Sequence, residues 1–106
     1  MKLLTKVIEK KAKEQYELGS DLSQKVVAKF FDPCSAWTWY LMNIDPSDLD
    51  YCWGIVKGFE VEIGSFSLSD LTKFRNKLGI GIERDLYFKP MVAKDLWGKL
   101  INNEHV

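Results

Sequence analysis

Four strand-like segments follow one another between residues 25 and 66, and the links between them are very short. Each segment is rich in β-branched and aromatic residues, and Asp-Pro or Gly turns separate most of them. Parallel strands need a connection of roughly a dozen residues or more, whereas antiparallel strands need only a tight turn. We therefore predict an antiparallel meander whose strands are Lys25–Phe31, Ala36–Ile44, Tyr51–Lys57 and Phe59–Phe66.

Helix-like segments flank this meander on both sides. Leu4–Leu18 has the helical apolar spacing, with Leu4, Val7, Ile8, Ala12 and Tyr16 on one stripe. Ser67 is typical of a helix cap, and we predict that Leu68–Lys77 forms a helix that buries Leu71, Phe74 and Leu78.

The remainder of the chain predicts one more strand and one more helix. Ile82–Phe88 has the strand pattern and ends at Lys89-Pro90, and residues 92–102 are predicted to bury Leu96, Trp97, Leu100 and Ile101. The predicted order is αββββαβα. This order predicts an α+β fold, with an antiparallel sheet of about five strands and helices packed on one face.

Length and charge limit the classes of protein that this sequence can represent. A chain of 106 residues predicts a single domain over residues 1–106. It contains no apolar run near the ~20 residues of a membrane span and no signal-peptide core, so we expect a cytoplasmic protein without a membrane partner. Lys+Arg and Asp+Glu both number 15, and this balance disfavours a dedicated nucleic-acid-binding protein.

Several segments, in order along nearly the whole chain, carry a family resemblance. They are MKLLTK, KVVAKFF, the tetrad Trp37-Thr38-Trp39-Tyr40 with the Asp-Pro turn that follows, GSFSLSDL (residues 64–71) and GIGIERDLYF (residues 79–88). Together they resemble the small-protein family catalogued as Domain of Unknown Function 2958. The resemblance implies a protein of plasmids, conjugative elements or phages, often encoded near anti-restriction and DNA-transfer genes. It assigns no catalytic residues.

The residues for nucleophilic catalysis are poorly placed. The one histidine, His105, is next to the end of the sequence, and the two cysteines, Cys34 and Cys52, are far apart. Histidine is the usual general base near neutral pH. The Gly79-Ile80-Gly81 segment lacks the third glycine of a dinucleotide loop and the Gly-Lys-Ser/Thr end of a P-loop. The sequence therefore predicts no cofactor and favours a protein that is not an enzyme.

Carboxylates on predicted strands are the remaining option for catalysis. Glu60 and Glu62 share a face of one strand, and Glu83 and Asp85 share a face of another. If these strands are neighbours, the carboxylates could hold Mg²⁺ or Mn²⁺, with Glu83 and Asp85 as the weak metal candidates. The alternative is that all four residues are solvated outer positions of half-buried strands, and the spacing favours this alternative.

Aromatic residues on the predicted strands suggest a binding surface. Alternation places Trp37 and Trp39 on one face and Tyr40 on the other. An uncovered aromatic face bordered by Lys29, Lys57 or other basic residues could stack bases, or it could bind a protein. The candidate binding residues are Trp37, Trp39, Tyr40, Tyr51, Trp53, Arg84 and Lys89. The alternative is that these side chains form the core, and we expect helices to cover the face that carries Trp37 and Trp39.

Three functions follow from these observations. The first is a non-catalytic accessory protein of a mobile element that binds a host or element macromolecule, with a protein as the favoured partner. The family context adds a counter-defence role against a restriction or CRISPR-type effector. The second is a module that binds single-stranded nucleic acid or a nucleotide on the aromatic face. The third is a carboxylate-metal enzyme such as a nuclease.

Overall fold

The computed structural model describes residues 2–106 and is built around a five-stranded antiparallel sheet. The elements in chain order are α1 (Lys6–Glu14), a 3₁₀ helix (Tyr16–Leu18), β1 (Lys25–Val26), β2 (Ala28–Phe31), β3 (Thr38–Asp45), β4 (Asp48–Lys57), β5 (Val61–Phe66), α2 (Leu68–Lys73), β6 (Glu83–Arg84), β7 (Met91–Val92) and α3 (Ala93–Ile101). The main sheet has the strand order β5-β4-β3-β2-β6, and β1 pairs with β7 in a small second sheet. The predicted α+β class and the order of the main elements are confirmed.

The meander forms as the short links require, although the bounds of its strands differ from those predicted. The predicted strand Lys25–Phe31 divides at Val27, so that its first part pairs with β7 and its second part pairs with β3 and β6. The strand β4 begins at Asp48, three residues before the predicted Tyr51. An Asp45–Asp48 turn connects it to β3, and the Ser47 amide donates to Asp45 Oδ1 in this turn at 2.8 Å.

The first helix is shorter than the predicted Leu4–Leu18. Thr5 caps its start by accepting the Ile8 amide at 3.1 Å. The helix ends at Gln15, whose side chain turns to the sheet. Its side-chain Nε2 donates to the main-chain oxygens of Lys25 and Met42. The 3₁₀ helix Tyr16–Leu18 then completes the predicted span, and Gly19, with φ of +53°, follows it as the end of the helical segment.

The second helix and the strand after it are also shorter than predicted. Helix α2 buries Leu71 but ends at Lys73, so Phe74 and Leu78 are exposed and the prediction that they are buried was wrong. Their loop is held by Asn76, whose Oδ1 accepts the Leu78 and Ile80 amides. The predicted strand Ile82–Phe88 is reduced to β6 because the Asp85 carboxylate accepts the Tyr87 amide and forms a turn.

Helices cover both faces of the sheet, and not the single face that the sequence predicted. Alternation along β3 points Leu41 to one face and Tyr40 to the other. Leu41 packs with Ala12 of α1 and Leu71 of α2. On the opposite face, Tyr40 packs with residues of α3, namely Ala93, Leu96 and Leu100. Of the other predicted core residues of α3, Trp97 is half-buried and Ile101 is exposed. The sheet is therefore the middle layer of three.

Within residues 2–106, none of the helices has the length and apolar character that crossing a bilayer requires.

Candidate functional site: an aromatic patch with an acidic border

The sheet face that packs against α1 and α2 is not completely covered at the end near Trp37. There the Trp37 ring stacks on Trp39, with centroids 6.0 Å apart and an interplanar angle of 28°. Phe59 meets Trp37 edge to face at 5.6 Å. We call Trp37, Trp39 and Phe59 the aromatic patch.

The three members of the aromatic patch differ in burial. Trp39 is half-buried and packs against the core under α1 and α2, as the sequence predicted for the helix-covered face. Trp37 lies at the rim of that core and is 37% exposed, while Phe59 is 96% exposed. Trp39 therefore anchors the patch, and the other two rings present it to solvent.

Tight turns hold the two exposed rings in place. The Trp37 amide donates to the Ser35 hydroxyl at 3.2 Å, in the turn that leads into β3. The Trp37 ring lies directly over Gly58, where the absence of a Cβ leaves room for the indole. Phe59 follows at the tip of the β4–β5 turn, which the Gly58 amide closes by donating to the Glu60 carbonyl at 3.0 Å.

The border of the aromatic patch is acidic. A shallow cleft of about 300 Å³ beside Trp37 and Phe59 is lined by Val56, Glu60 and Glu62. Both glutamates are exposed, so their carboxylates are solvated. This surface can accept a cationic or apolar group, and it repels a phosphate.

Phe59 is the residue that sequence reasoning missed. It was predicted as the first residue of a strand, but β5 begins at Val61 and Phe59 stands in the turn. The sequence feature that could have identified it is a large apolar residue directly after Gly58, in the link between two predicted strands. A polar residue is usual in such a turn.

The other predicted aromatic residues lie elsewhere. Tyr40 is buried under α3, and burial, with the Asp85 charge as a second cause, raises its pKa to about 12. Tyr51 and Trp53 meet edge to face at 6.2 Å, and Tyr51 also meets Tyr16 at 6.5 Å. The predicted aromatic residues therefore form separate groups and not one continuous platform.

The predicted phosphate partners do not border the aromatic patch. Arg84 donates to the main-chain oxygens of Lys2 and Leu3, so it fastens the N-terminal segment to β6. Lys29 is buried beside Tyr40, and Lys57 lines a different cleft. Lys89 is exposed, in the loop before β7.

The carboxylates considered for a metal site are divided between the two edges of the sheet. Glu62 is on β5 and Glu83 is on β6, and these strands are the opposite edges of the main sheet. Asp85 lies 3.6 Å from Lys29 Nζ and accepts the Tyr87 amide. The condition that the two strands are neighbours is therefore not met, and residues 2–106 contain no group of three or more His, Cys, Asp or Glu side chains suited to a metal.

Comparison with known proteins agrees with the resemblance seen in the sequence motifs. Neither the curated proteins nor the solved structures gave a match. A family model described as "Protein of unknown function (DUF2958)" matches residues 2–104, which is almost the whole chain. The chain belongs to the DUF2958 family.

Proposed function

We propose that this protein is a non-catalytic binding protein that recognises a basic segment of a partner protein through the aromatic patch. The observation that carries the proposal is the exposed Phe59 ring against Trp37, with Glu60 and Glu62 at its border. Aromatic side chains concentrate binding energy in protein interfaces. The acidic border favours a partner segment that carries positive charge.

The aromatic patch can supply part of the free energy of partner binding. Phe59 has almost its whole side chain in water, and covering a phenylalanine contributes roughly 1.5–3 kcal/mol. The Trp37 face adds cation–π attraction for an arginine or lysine, which is worth about 0.5–2 kcal/mol according to how well the pair is desolvated. Because Trp37 is already fixed over Gly58, little side-chain entropy is lost on binding.

The charge distribution favours a protein partner over nucleic acid at this surface. Stacked bases would bring phosphates close to Glu60 and Glu62, where like charges repel. A basic protein segment places its charges where these carboxylates attract them, and this attraction also raises the association rate.

We also propose that the partner belongs to the setting of a mobile genetic element. The support for this proposal is what the resemblance of the sequence motifs to DUF2958 proteins implies, namely a setting of plasmids, conjugative elements or phages. In that setting a small binder with an exposed aromatic patch can act in counter-defence, by occupying a basic surface with which a host restriction or CRISPR-type effector contacts DNA. Transfer of a plasmid into a restricting host, with and without the protein, measures this role.

The test of binding is a comparative capture experiment from the native host. The wild type is compared with Phe59→Ala, and with Tyr87→Ala as the matched control, because Tyr87 is an equally exposed aromatic residue outside the patch. We expect a defined basic protein to be retained by the wild type and by Tyr87→Ala, and to be lost with Phe59→Ala. Equal retention by all three proteins would contradict the proposal.

Charge reversal at the border tests the chemistry of the partner. Glu60→Lys with Glu62→Lys should abolish capture of a basic partner while leaving the fold unchanged, because both side chains are solvated. If the double variant instead binds single-stranded oligonucleotides, and the wild type does so as well, the nucleic-acid function would replace the proposed one.

A further inference from the structure

The strand β5 is an open edge of the main sheet. Within residues 2–106 it has β4 on one side and no strand on the other. It extends over six residues, Val61–Phe66, whereas the opposite edge strand β6 has only two. Natural proteins often protect a long edge with a proline, a lysine or a bulge, and β5 contains none of these. This edge can therefore accept a further strand.

Alternate residues of β5 direct their main-chain groups away from β4. In an antiparallel pair, every second residue exchanges hydrogen bonds with its partner, and the residues between them point their N–H and C=O groups outwards. The Gly58 amide donates to the Glu60 carbonyl at 3.0 Å, and the hydrogen-bonded positions continue from this pair with the even-numbered residues of β5. The main-chain groups of Val61, Ile63 and Ser65 therefore point to the open edge, where no other main chain of residues 2–106 bonds them.

The open edge is continuous with the aromatic patch. On that face the register runs from Trp39 through Val56 to Glu62, so a residue placed beside Glu62 lies in the same row as the patch. Glu60 lies on the same face, beside the patch. Side chains opposite each other on neighbouring strands have Cβ atoms about 5 Å apart, and opposite charges at this distance attract. Arginine or lysine is therefore favoured at the two positions of an added strand that lie opposite Glu60 and Glu62.

The next row of this face has space for a large side chain. A Cβ on Gly64 would have no atom within 4 Å. The neighbour of Gly64 on β4 is Gly54, and the Phe66 ring lies close to Gly54. Aromatic side chains on a neighbouring strand can cover a glycine at a sheet edge. The position opposite Gly64 therefore favours a large apolar residue.

The other face of β5 is apolar. Val61 and Ile63 are half-buried and pack on the core under α3. Residues of an added strand opposite them would extend this apolar surface, so β-branched residues are favoured there. Lys57 is the neighbour of Val61 on this face, and it disfavours a cation at that position.

A second copy of this chain matches the edge less well than a basic segment does. Antiparallel pairing of two β5 strands centred on Ile63 would place Glu62 of each copy opposite Gly64 of the other. The two Glu62 side chains would then be diagonal neighbours about 7–8 Å apart, and like charges at this distance repel. No lysine or arginine of β5 lies between them. A basic segment meets no such repulsion.

We propose that the basic segment of the partner binds as an added strand, antiparallel to β5, in which arginine or lysine alternates with apolar residues. The antiparallel direction continues the pattern of the main sheet and gives the more stable pairing. Main-chain hydrogen bonds to the open edge give affinity, and alternate side chains select the sequence. This inference rests on the proposed function, since it names how the partner of the aromatic patch is held.

The probe is the hexapeptide Thr-Phe-Val-Arg-Val-Arg, blocked at both ends and called the parent peptide. In the proposed register its phenylalanine lies opposite Gly64 and its arginines lie opposite Glu62 and Glu60. In the first of three matched peptides, glutamate replaces both arginines. The second is N-methylated at the first valine, whose N–H would donate to Ile63. The third is N-methylated at the first arginine, whose N–H would point away from β5.

Each peptide is titrated into the full chain at fixed pH and ionic strength, and amide hydrogen exchange is followed by NMR. In the free protein, we expect the amides of Val61, Ile63 and Ser65 to exchange faster than those of Glu62 and Gly64, because only the latter two donate to β4. At about ten times the Kd of the parent peptide, exchange of the three outward amides should slow about tenfold.

The affinities of the matched peptides should separate charge from main-chain pairing. We expect binding at least about tenfold weaker for the glutamate peptide and for the peptide methylated at valine, since each loses an interaction with β5 and the methyl group also blocks close approach. The peptide methylated at arginine should bind within about threefold of the parent peptide, because its lost N–H has no partner on β5.

Replacing Ser65 with proline tests the edge from the side of the protein. The Ser65 side chain is exposed, its N–H points outwards and a glycine precedes it, so proline removes a donor without removing a bond to β4. We expect Ser65→Pro to weaken binding of the parent peptide at least about fivefold. Ser65→Thr, which keeps the N–H, should bind as the wild type does.

Several results would overturn this inference, and they are distinct from failure of the proposed function. Binding of the parent peptide that Phe59→Ala abolishes, without slower exchange at Val61 and Ile63, would exclude strand addition and leave the aromatic patch as the binding site. Equal affinity of the two methylated peptides would have the same meaning. Slow exchange of the outward amides in the free protein, increasing with protein concentration, would assign the edge to a second copy. If no peptide binds, strand addition fails, and the capture experiment with Phe59→Ala decides the proposed function separately.

Discussion

Replacing Gly58 with alanine tests how the aromatic patch is built, without removing any aromatic atom. A Cβ at this position would lie 2.3, 2.4 and 2.6 Å from the Cη2, Cζ3 and Cζ2 atoms of Trp37. These distances are far below van der Waals contact, so the indole must move. Since the φ angle of Gly58 is not in the left-handed region, the backbone itself accepts alanine.

The expected cost in stability is modest because the obstacle is the end of a side chain. Moving Trp37 forfeits its stacking on Trp39 and its contact with Phe59, and aromatic pairs of this kind are worth about 0.5–1.5 kcal/mol. We expect Gly58→Ala to lower the free energy of unfolding by about 1–2 kcal/mol. We expect it to weaken partner binding as strongly as Trp37→Ala does.

Gly54→Ala provides the matched control, because its new Cβ would meet backbone. That Cβ would lie 2.1 Å from the carbonyl oxygen of Tyr40, in the central strand β3. The strand itself would have to shift, and we expect a loss of about 3 kcal/mol or more. The same chemical change therefore has a large effect on the fold at Gly54 and a large effect on the patch at Gly58.

Urea denaturation measures the two stabilities, and near-ultraviolet circular dichroism reports the coupling of the Trp37 and Trp39 rings. A Gly58→Ala protein with the wild-type aromatic spectrum would refute the argument, since it would show that Trp37 is not seated on Gly58. A Gly54→Ala protein as stable as the wild type would refute the argument about the backbone contact.

Three further outcomes follow from burial and charge. Trp39→Ala should cost about 2–3 kcal/mol in a urea melt, less than a fully buried tryptophan, because this side chain is half-buried. A thiol reagent should modify the exposed Cys34 in the native protein and reach Cys52 only after unfolding, since burial excludes the reagent and raises the Cys52 pKa to about 12. A hydrogen bond from the Cys34 main-chain amide, with smaller contributions from the Asn76 and Ser35 side chains, holds the pKa of Asp32 below its usual value. Asp32 therefore stabilises the fold above about pH 4, and this contribution is lost as the pH falls through the lowered pKa. The urea midpoint of Asp32→Asn should therefore change less than that of the wild type between neutral and strongly acidic pH.

Local sequence signals predicted those parts of the fold that depend on local chemistry. Short links between strand-like segments require antiparallel pairing, and the observed register confirms it. Ser67 accepts the Asp70 amide and starts α2 at the predicted residue. The positions of Leu71, Leu96 and Leu100 in the core also follow from helical spacing.

Contacts between distant segments decided the features that were not predicted. The strand β7 exists because residues 91–92 pair with β1, some 65 residues earlier in the chain by their register. Phe74 has the spacing of a core residue, but the helix ends before it and leaves it exposed. The periodicity of hydrophobic residues and the amino-acid composition contain no information on where such long-range contacts form.

The candidate sites depend on two features. The alternation of side chains along the strands could be predicted from the sequence, but the packing of the helices on the sheet could not. Alternation separates Trp39 from Tyr40, but only the positions of α2 and α3 determine that Tyr40 is buried and that the end of the Trp39 face is open.

The same alternation explains why a net charge of zero gives an incomplete account of this surface. Glu62 pairs with Val56 on the face of the aromatic patch, whereas the next pair along these strands, Lys57 with Val61, points to the other face. Lys29 also points to that other face, which it shares with Tyr40, its partner on the neighbouring strand. At this end of the sheet, Glu60 and Glu62 therefore lie beside the aromatic patch, whereas Lys29 and Lys57 lie on the opposite face together with Asp32 and Asp85. Since positive and negative charges cancel over the whole chain but not at the aromatic patch, a cationic partner at this patch is compatible with a neutral chain.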